Sequence, residues 1–403
     1  MKKFFIWTVF DQILVSGGNF LTIFLGAIYL SLHDQGNLII LLSFYFFCLI
    51  ASIALVYAPT QSLYPKFDNN SNYIFTGFLY HILISIALIL LVVVSVHSMN
   101  LSDEVHISNN FLQSFLIFVF LQQIADYGRR VSYVIYSSFV SFCLSAMLYL
   151  PRIIGLLIVE PNNLNDFLMV LIFANVIDGI LVVVFIVSKK IKDALVFEKY
   201  MLKQHVLFSR NIFYSAPIGW SVAYLPTLVL GFFSGPFLVG VLGTLRGIVG
   251  VANLFVEMIE VSAISHLASK NHKGEQAYVK LFFQRLIVGF TISWLIVFFL
   301  IYNFYRYGAE FVAPEFHEYQ SIFLMLCLVY FIYFYGRMHV LYLRVFFNTK
   351  AEFYNSKVAL VSTLLSFPLI YVFDIIGAAS VLIVAQLFAL FFTFKRYGLN
   401  VTA

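Results

Sequence analysis

The chain of 403 residues is 62% hydrophobic and only 11% charged, with a formal net charge of +5. A soluble domain carries about 25% charged residues, so this composition excludes an ordinary globular enzyme. Apolar blocks of about 20 residues recur between short polar connections along the whole chain, which is typical of an all-α polytopic membrane protein.

About twelve apolar stretches are long enough to cross a bilayer as helices. In chain order we place them at 4–30, 36–58, 73–97, 110–126, 133–158, 166–188, 210–232, 235–264, 277–303, 319–341, 354–373 and 375–395. With the amino terminus inside, Lys and Arg concentrate in the inner connections and Asp and Glu in the outer ones, with Arg306 as the exception. By the positive-inside rule both termini are cytoplasmic. The positive net charge therefore indicates topology, and we expect no nucleic-acid partner.

The longest inner connection, from Ser188 to Arg210, mixes basic residues with apolar ones at roughly helical spacing. This pattern predicts an amphipathic helix along the inner membrane surface. It divides the chain into an N-terminal six-helix lobe at 1–188, a basic linker at 189–209 and a C-terminal six-helix lobe at 210–403. Each lobe opens with a helical hairpin closed by a short outer turn, which favours an internal duplication. Two unrelated six-helix bundles are the alternative.

Polar residues interrupt the first predicted helix in the stretch FDQILVSGGNF. At 100° per residue Gln12, Ser16 and Asn19 form a narrow stripe, and Asp11 and Gly18 share an adjacent face. We interpret the stripe as the border of a water-filled cavity, with the glycines admitting a close neighbouring helix. The alternative is that these groups only bond neighbouring backbones, and Asp11 could simply pair with a lysine near the inner interface.

Three further charges lie deep inside predicted helices. Arg246 and Asp178 fall near mid-membrane, and Arg152 falls in the outer third of the fifth helix. Charges at such depths usually face a protein interior or cavity, and are functional candidates. Arg246 and Asp178 could instead form a structural ion pair, and Arg152 could extend to the outer interface. An arginine in a cavity suits phosphate, because its planar fork binds two oxygens and stays protonated.

Motifs of soluble catalysis are missing from the sequence. It holds no Walker A motif, nucleophile elbow, HExxH motif or glycine-rich dinucleotide loop, and no long outer loop. The three cysteines lie in apolar blocks without metal-binding spacing. We therefore expect a protein that is not an enzyme and that uses no cofactor and no metal.

Three segments resemble the Wzx-type flippases of the multidrug/oligosaccharidyl-lipid/polysaccharide exporter superfamily. The first is FDQILVSGGNFLTIFLGAIYL, which is similar to that family's first helix. The second, LQQIADYGRRVSYVIYSSF, is similar to its paired arginines after the fourth helix, and the third, FLVGVLGTLRGIVGVANLF, to its eighth helix. The matching residues are Asp11, Gln12, Ser16, Asn19, Phe20, Arg129, Arg130 and Arg246.

The resemblance implies a V-shaped pair of six-helix lobes around a central cavity in a bacterial inner membrane. The implied function is alternating-access transfer of an undecaprenyl-pyrophosphate-linked oligosaccharide (a precursor of O-antigen, capsule or a related polysaccharide) to the outer leaflet. In that hypothesis Arg246 and Arg152 contact the pyrophosphate, while the stripe of the first helix faces the sugar. Asp178 and Asp11 serve ion coupling or an ion pair. Membrane lipids and the polysaccharide polymerase and chain-length machinery are the expected partners.

Two rival functions remain open. An ion-coupled multidrug exporter of the same superfamily would have a carboxylate cluster within one lobe, where Asp11 and Asp178 are the only deep acids of the first. A membrane glycan polymerase or ligase would need a large outer loop with charged residues for its chemistry, and the sequence has none.

Overall fold

The structure is a computed structural model that describes residues 2–64, 70–98, 109–188, 197–250, 256, 267, 270–271, 273–312, 314–346 and 350–397. Almost all of these residues are helical, and no strand occurs among them. The predicted all-α class is confirmed. Inter-residue contacts divide the chain into a first unit, Met1–Trp220, and a second unit, Ser221–Ala403.

The described residues of the first unit form seven helices and the start of an eighth. They are α1 Lys2–Tyr29, α2 Leu32–Ser52, α3 Ala58–Leu63, α4 Asn70–Ser98, α5 Asn109–Ile135, α6 Ser138–Val159, α7 Leu164–Ser188 and α8 Lys199–Ser234. A π-helical turn at Ile53–Tyr57 joins α2 directly to α3, so the two form one continuous rod.

The part of the second unit that the structure describes contains the end of α8 and five further helices. They are α9 Pro236–Gly250, α10 Gln276–Val312, α11 Gln320–Val345, α12 Lys350–Ser366 and α13 Pro368–Tyr397, with a 3₁₀ turn at Pro314–Tyr319 before α11. Within α13 the backbone of Asp374 is non-helical, with φ 46° and ψ −123°. The chain therefore bends at the residue where we predicted the break between the last two crossings.

Nine helical segments of the described chain are long and apolar enough to span a membrane. They are Ile6–Tyr29, Leu32–Gln61, Asn72–Val94, Ser138–Val159, Leu164–Val184, Ala216–Ser234, Gln276–Leu300, Phe316–Val345 and Pro368–Tyr397. Of the remaining three predicted crossings, one lies within α5, whose polar residues lower its hydropathy, and one overlaps α12. The third, predicted at 235–264, begins with α9, and its residues 251–255 and 257–264 lie outside the described residues. The protein is therefore a multi-pass membrane protein.

Large apolar side chains cover the outer faces of these helices. On α4 and α7 the exposed residues include Leu83, Leu90, Phe173 and Ile180, which are 60% to 68% exposed. A helix satisfies its backbone hydrogen bonds internally, so it can present such a surface to lipid. On the same two helices the polar side chains of His81, Ser85, Asn175 and Asp178 are buried.

Close helix contacts hold the first unit together. A Cβ atom on Gly18 of α1 would overlap the Tyr149 ring of α6, and one on Gly128 of α5 would overlap the Val182 side chain of α7. The expectation that glycine admits a close neighbour is confirmed for Gly18. It is wrong for Gly17, where an added Cβ would meet nothing within 4 Å.

The second unit packs through small residues and paired rings. Ala359, Ala385 and Ala389 form a buried cluster with Val222, so α12 and α13 approach closely. Charged groups also pair within this unit: Glu352 accepts hydrogen bonds from Arg344 at 2.6 Å and from Arg337 at 3.0 Å.

The predicted linker lies partly outside the described residues, at 189–196. From Lys199 onward it is helical and continues without a break into the next crossing. The described part of the linker is attached to α4 through Glu198. The Glu198 carboxylate accepts from Asn72 at 2.7 Å, and the Glu198 backbone N–H donates to Thr76 at 3.1 Å. The domain borders proposed at 188 and 210 stay predictions.

Candidate functional site

A network of buried charges occupies the interior of the first unit. Asp11 of α1 is fully buried, and its Oδ2 lies 3.0 Å from Nη1 of Arg129 on α5. Tyr133 and Ser145 donate hydrogen bonds to the same carboxylate from α5 and α6. In the alternative reading Asp11 pairs with a lysine, whereas here its partner is a buried arginine, and both carboxylate oxygens accept hydrogen bonds.

The predicted end of the fourth crossing at residue 126 is wrong, because α5 continues to Ile135. Arg129 and Arg130 therefore belong to a helix and not to an inner connection. Asp126 accepts from the Tyr45 hydroxyl at 2.8 Å and lies 4.0 Å from Arg129, while the Arg130 guanidinium lies 5.3 Å from the centre of the Tyr57 ring. Paired charges can be buried where isolated ones could not.

Arg152 of α6 is 3% exposed and points into the first unit. Its Nη2 donates to the side-chain oxygens of Gln122 on α5 and of Asn175 on α7, the latter at 2.8 Å. Its guanidinium lies 4.9 Å from the centre of the Tyr149 ring. The alternative in which Arg152 extends to the membrane surface is wrong, because two amides and an aromatic ring hold it inside the helix bundle.

Asp178 of α7 is 1% exposed. Within the described part of the chain its Oδ1 has no hydrogen-bond partner. It lies on the same face of α7 as Asn175, one turn before it, and Val182, one turn after it, which both contact α5. Asp178 is thus the least satisfied carboxylate of the three in this interior.

The polar stripe of α1 is only half-buried. Gln12, Ser16 and Asn19 all remain partly exposed, and Asn19 accepts a hydrogen bond from the Tyr149 hydroxyl at 3.2 Å. Tyr149 also stacks on Arg152, so the structure links Asn19 to the buried network. The cavity-lining role of this stripe stays a prediction.

Arg246 lies on α9 in the second unit and is partly exposed. Its Nη1 donates to the Ala223 carbonyl oxygen of α8, and its guanidinium lies 5.1 Å from the centre of the Tyr224 ring. These two contacts hold the Arg246 guanidinium in place, and neither of them involves a carboxylate. Its substrate-binding role, and the alternative of an ion pair with Asp178, stay predictions.

Sequence reasoning missed the contribution of α5. Asp126, Gln122 and Gln123 were not singled out, although all three are at most 4% exposed. Positions 122, 126, 129 and 133 repeat at spacings of four, three and four, which is the signature of one polar helix face. That periodicity predicts a helix running through the arginine pair. Among the described residues, no group of three or more His, Cys, Asp or Glu side chains is arranged to hold a metal ion.

No protein-family model and no curated protein sequence matches the chain. Solved structures do match, among them a multidrug resistance MATE family transporter of the MOP superfamily in an inward-facing conformation. It superposes with a TM-score of 0.79 over 97% of this chain and 94% of the other, at 9% identity. A MATE transporter of Vibrio cholerae gives a TM-score of 0.66 over 98% and 94% of the two chains, at 13% identity.

A MOP superfamily transporter of Pyrococcus furiosus, described as having a binding pocket of reversed polarity, gives a TM-score of 0.53 at 10% identity and covers 98% and 94% of the two chains. At these identities the likeness establishes the fold. The protein is a polytopic helical membrane protein with the fold of MATE transporters of the MOP superfamily. All three of these neighbours are described as transporters.

Proposed function

We propose that this protein is an ion-coupled exporter that works by alternating access. Structures with its fold include MATE transporters in both inward-facing and outward-facing conformations, with TM-scores of 0.79 and 0.64. The loop charges support cytoplasmic termini, and the resemblance of the three sequence segments supports a bacterial inner membrane. The fold likeness supports multidrug export more directly than glycan transfer.

The observation that carries this proposal is the group of three buried carboxylates within the first unit. An ion-coupled exporter needs such a cluster, and the sequence alone indicates two of its acids, Asp11 and Asp178. The structure adds Asp126, because α5 does not end there. Buried ionisable groups in a membrane interior are rare and commonly serve ion or proton transfer.

The three carboxylates differ in their partners. Asp11 has an arginine and two hydroxyl donors, and Asp126 has a tyrosine hydroxyl and a nearby arginine. Asp178 keeps one oxygen unpartnered within the described chain. A bare buried carboxylate oxygen is costly, so a proton or a monovalent cation is its natural partner. We assign the coupling ion to Asp178, with Asp11 as a structural anchor.

A second candidate is the flippase of a lipid-linked oligosaccharide, for which Arg246 is the supporting observation. This arginine lies inside a predicted crossing. Its contacts are with a backbone carbonyl and a tyrosine ring, and it has no carboxylate partner among the described residues. Its fork suits a pyrophosphate. Together with the resemblance of three sequence segments, this supports undecaprenyl-pyrophosphate-linked glycan as substrate and polysaccharide polymerase and chain-length proteins as partners.

The two candidates can be separated in one host strain. Inside-out membrane vesicles with and without the protein are given a proton or sodium gradient, and uptake of fluorescent cationic dyes is followed. In parallel, spheroplasts are treated with an impermeant sugar-oxidising reagent and the prenyl-linked fraction is analysed by mass spectrometry. Gradient-dependent dye uptake supports the multidrug exporter. Lipid-linked glycan that stays shielded inside when the protein is depleted supports the flippase, and neither effect would overturn both.

Arg246→Ala tests the second candidate at residue level. We expect this variant to lose glycan export while its amount in the membrane stays normal, and Arg246→Lys to retain part of the activity because it keeps the charge but not the fork. Normal export by Arg246→Ala at equal protein level would remove the residue from the substrate site.

A further inference from the structure

A second buried polar cluster lies in the first unit, apart from the charge network. It consists of Ser52 at the end of α2, His81 and Ser85 on α4, and Gln123 on α5, and all four are at most 2% exposed. Among the residues that the structure describes, none lies within hydrogen-bonding distance of Ser52 Oγ, His81 Nδ1, Ser85 Oγ or Gln123 Nε2. Buried polar atoms normally have partners, so four in one region need an explanation.

Contacts between the helices place His81 next to Gln123. His81 Nε2 lies 2.9 Å from the backbone carbonyl oxygen of Gln123. Ser85 follows His81 by one helical turn. The Tyr57 hydroxyl donates to Gln123 Oε1 at 3.3 Å, and the Tyr57 ring centre lies 5.4 Å from that of His81.

Ser52 faces the same helix α5. It lies two turns after Tyr45, whose hydroxyl reaches Asp126 of α5, and it immediately precedes the π-helical turn that places Tyr57. A π-helical turn opens the regular hydrogen-bond ladder and is frequent at functional sites.

The chemistry of the four atoms defines what fits between them. Since a carbonyl oxygen only accepts, His81 donates from Nε2, and its Nδ1 is left as an acceptor. The side-chain oxygen Oε1 of Gln123 accepts from the Tyr57 hydroxyl, so the hydrogens on its Nε2 are left as donors. The two serine hydroxyls can do either. A cation would find one nitrogen and no carboxylate here, and an anion would find few donors.

We infer that Ser52, His81, Ser85 and Gln123 hold ordered water inside the first unit. Water donates and accepts at once, which matches a set of one acceptor, one amide donor group and two hydroxyls. The site extends the polar interior beyond Asp126, which lies one turn after Gln123 on α5. If the protein is an ion-coupled exporter, this water connects the carboxylate region to His81 by exchangeable protons. The water site itself does not depend on that function.

The direct test is a cryo-EM map of the full chain in lipid nanodiscs, at a resolution that shows ordered water. We expect a density peak within hydrogen-bonding distance of both His81 Nδ1 and Gln123 Nε2. A map without such a peak, or with the two side chains bonded directly to protein groups, would overturn the inference. Either result leaves the exporter proposal in place, because that proposal is tested by transport.

A pair of variants gives an independent test. Ser85→Ala removes a hydroxyl that we place on water, whereas Ser43→Ala removes an equally buried hydroxyl that already donates to the Ile39 carbonyl oxygen at 2.8 Å. In a dry site the loss of an unpaired hydroxyl stabilises the protein. With water present, both substitutions remove a hydrogen-bonded hydroxyl, and we expect Ser85→Ala to lower the melting temperature by roughly 2 °C, about as much as Ser43→Ala does. A melting temperature of Ser85→Ala equal to or above that of the unmodified protein contradicts the water site.

Discussion

Arg129 and Asp11 form a buried ion pair, in which Nη1 of the arginine lies 3.0 Å from Oδ2 of the aspartate. The two residues are 118 positions apart in the chain. The two side chains are 6% and 0% exposed. The pair joins α1 to α5, and Ser145 extends the junction to α6. It is therefore a fixed structural contact of the first unit and a poor place for an ion that must bind and leave.

Breaking this ion pair should destabilise the protein strongly. Arg129→Gln leaves the Asp11 carboxylate buried without its cation, at a cost of about 3–5 kcal/mol. Asp11→Asn should cost less, because Arg129 keeps Asp126 as a second partner at 4.0 Å. The double variant restores neutrality, and we expect it to recover part of that loss. A double-mutant cycle on thermal unfolding in detergent measures the coupling. Additive losses in the double variant would show that the two residues do not act as a pair.

Gly18 and its neighbour Gly17 should respond differently to alanine. A Cβ atom at Gly18 overlaps the Tyr149 ring, so Gly18→Ala should push α1 away from α6 at a cost of about 1–3 kcal/mol. Gly17→Ala meets no atom and should be neutral or stabilise the helix by up to about 1 kcal/mol. Melting temperatures of the two variants decide it. Equal values would mean that α1 does not pack on α6 through Gly18.

Asp178→Asn should uncouple transport while leaving the fold intact. Because one oxygen of this carboxylate has no partner in the described chain, removing its charge costs little and we expect an unchanged or higher melting temperature. Asp126→Asn is the matched control, since it weakens an acceptor for Tyr45 and a neighbour of Arg129, and should lower stability. Dye or glycan transport is measured with and without an ion gradient. Unaltered gradient dependence in Asp178→Asn would exclude it as the coupling group.

His205 should make the start of α8 sensitive to acid. It lies before the apolar span Ala216–Ser234, and its ring contacts the Tyr73 hydroxyl at 3.0 Å and the Leu55 carbonyl oxygen at 2.8 Å. Burial disfavours the imidazolium and lowers the pKa of His205 from 6.5 to about 4, although the Leu55 carbonyl acts in the opposite direction. The folded state therefore binds this proton less readily than the unfolded state does.

The sign of the pH dependence follows from that difference. The contribution of neutral His205 to the free energy of unfolding is complete above pH 6.5. It is lost as the pH falls towards about 4, which lowers the free energy of unfolding by roughly 3 kcal/mol. We expect the protection factors of residues 199–209 against hydrogen exchange, which are corrected for the intrinsic pH dependence of exchange, to fall over this range. His205→Gln keeps a donor and an acceptor but does not titrate, so its protection factors should lack the acid-dependent fall. The same fall in that variant would assign it to another group.

Composition and hydropathy were sufficient to give the class of the protein. In lipid every backbone polar group must be satisfied within its own helix, so the length and hydropathy of a segment decide locally whether it spans. The positions of most crossings and the break at Asp374 follow from this rule. The close contact at Gly18 also follows from a local feature of the chain.

Only the tertiary structure decided which charges lie inside. Arg129 and Arg130 had the pattern of an inner connection, because their partners are distant in sequence: Asp11 is on α1 and Tyr57 belongs to the π-helical turn. The third buried carboxylate, Asp126, was hidden for the same reason. The free energy of a buried charge depends on neighbours that the fold supplies, and residue order alone does not name those neighbours.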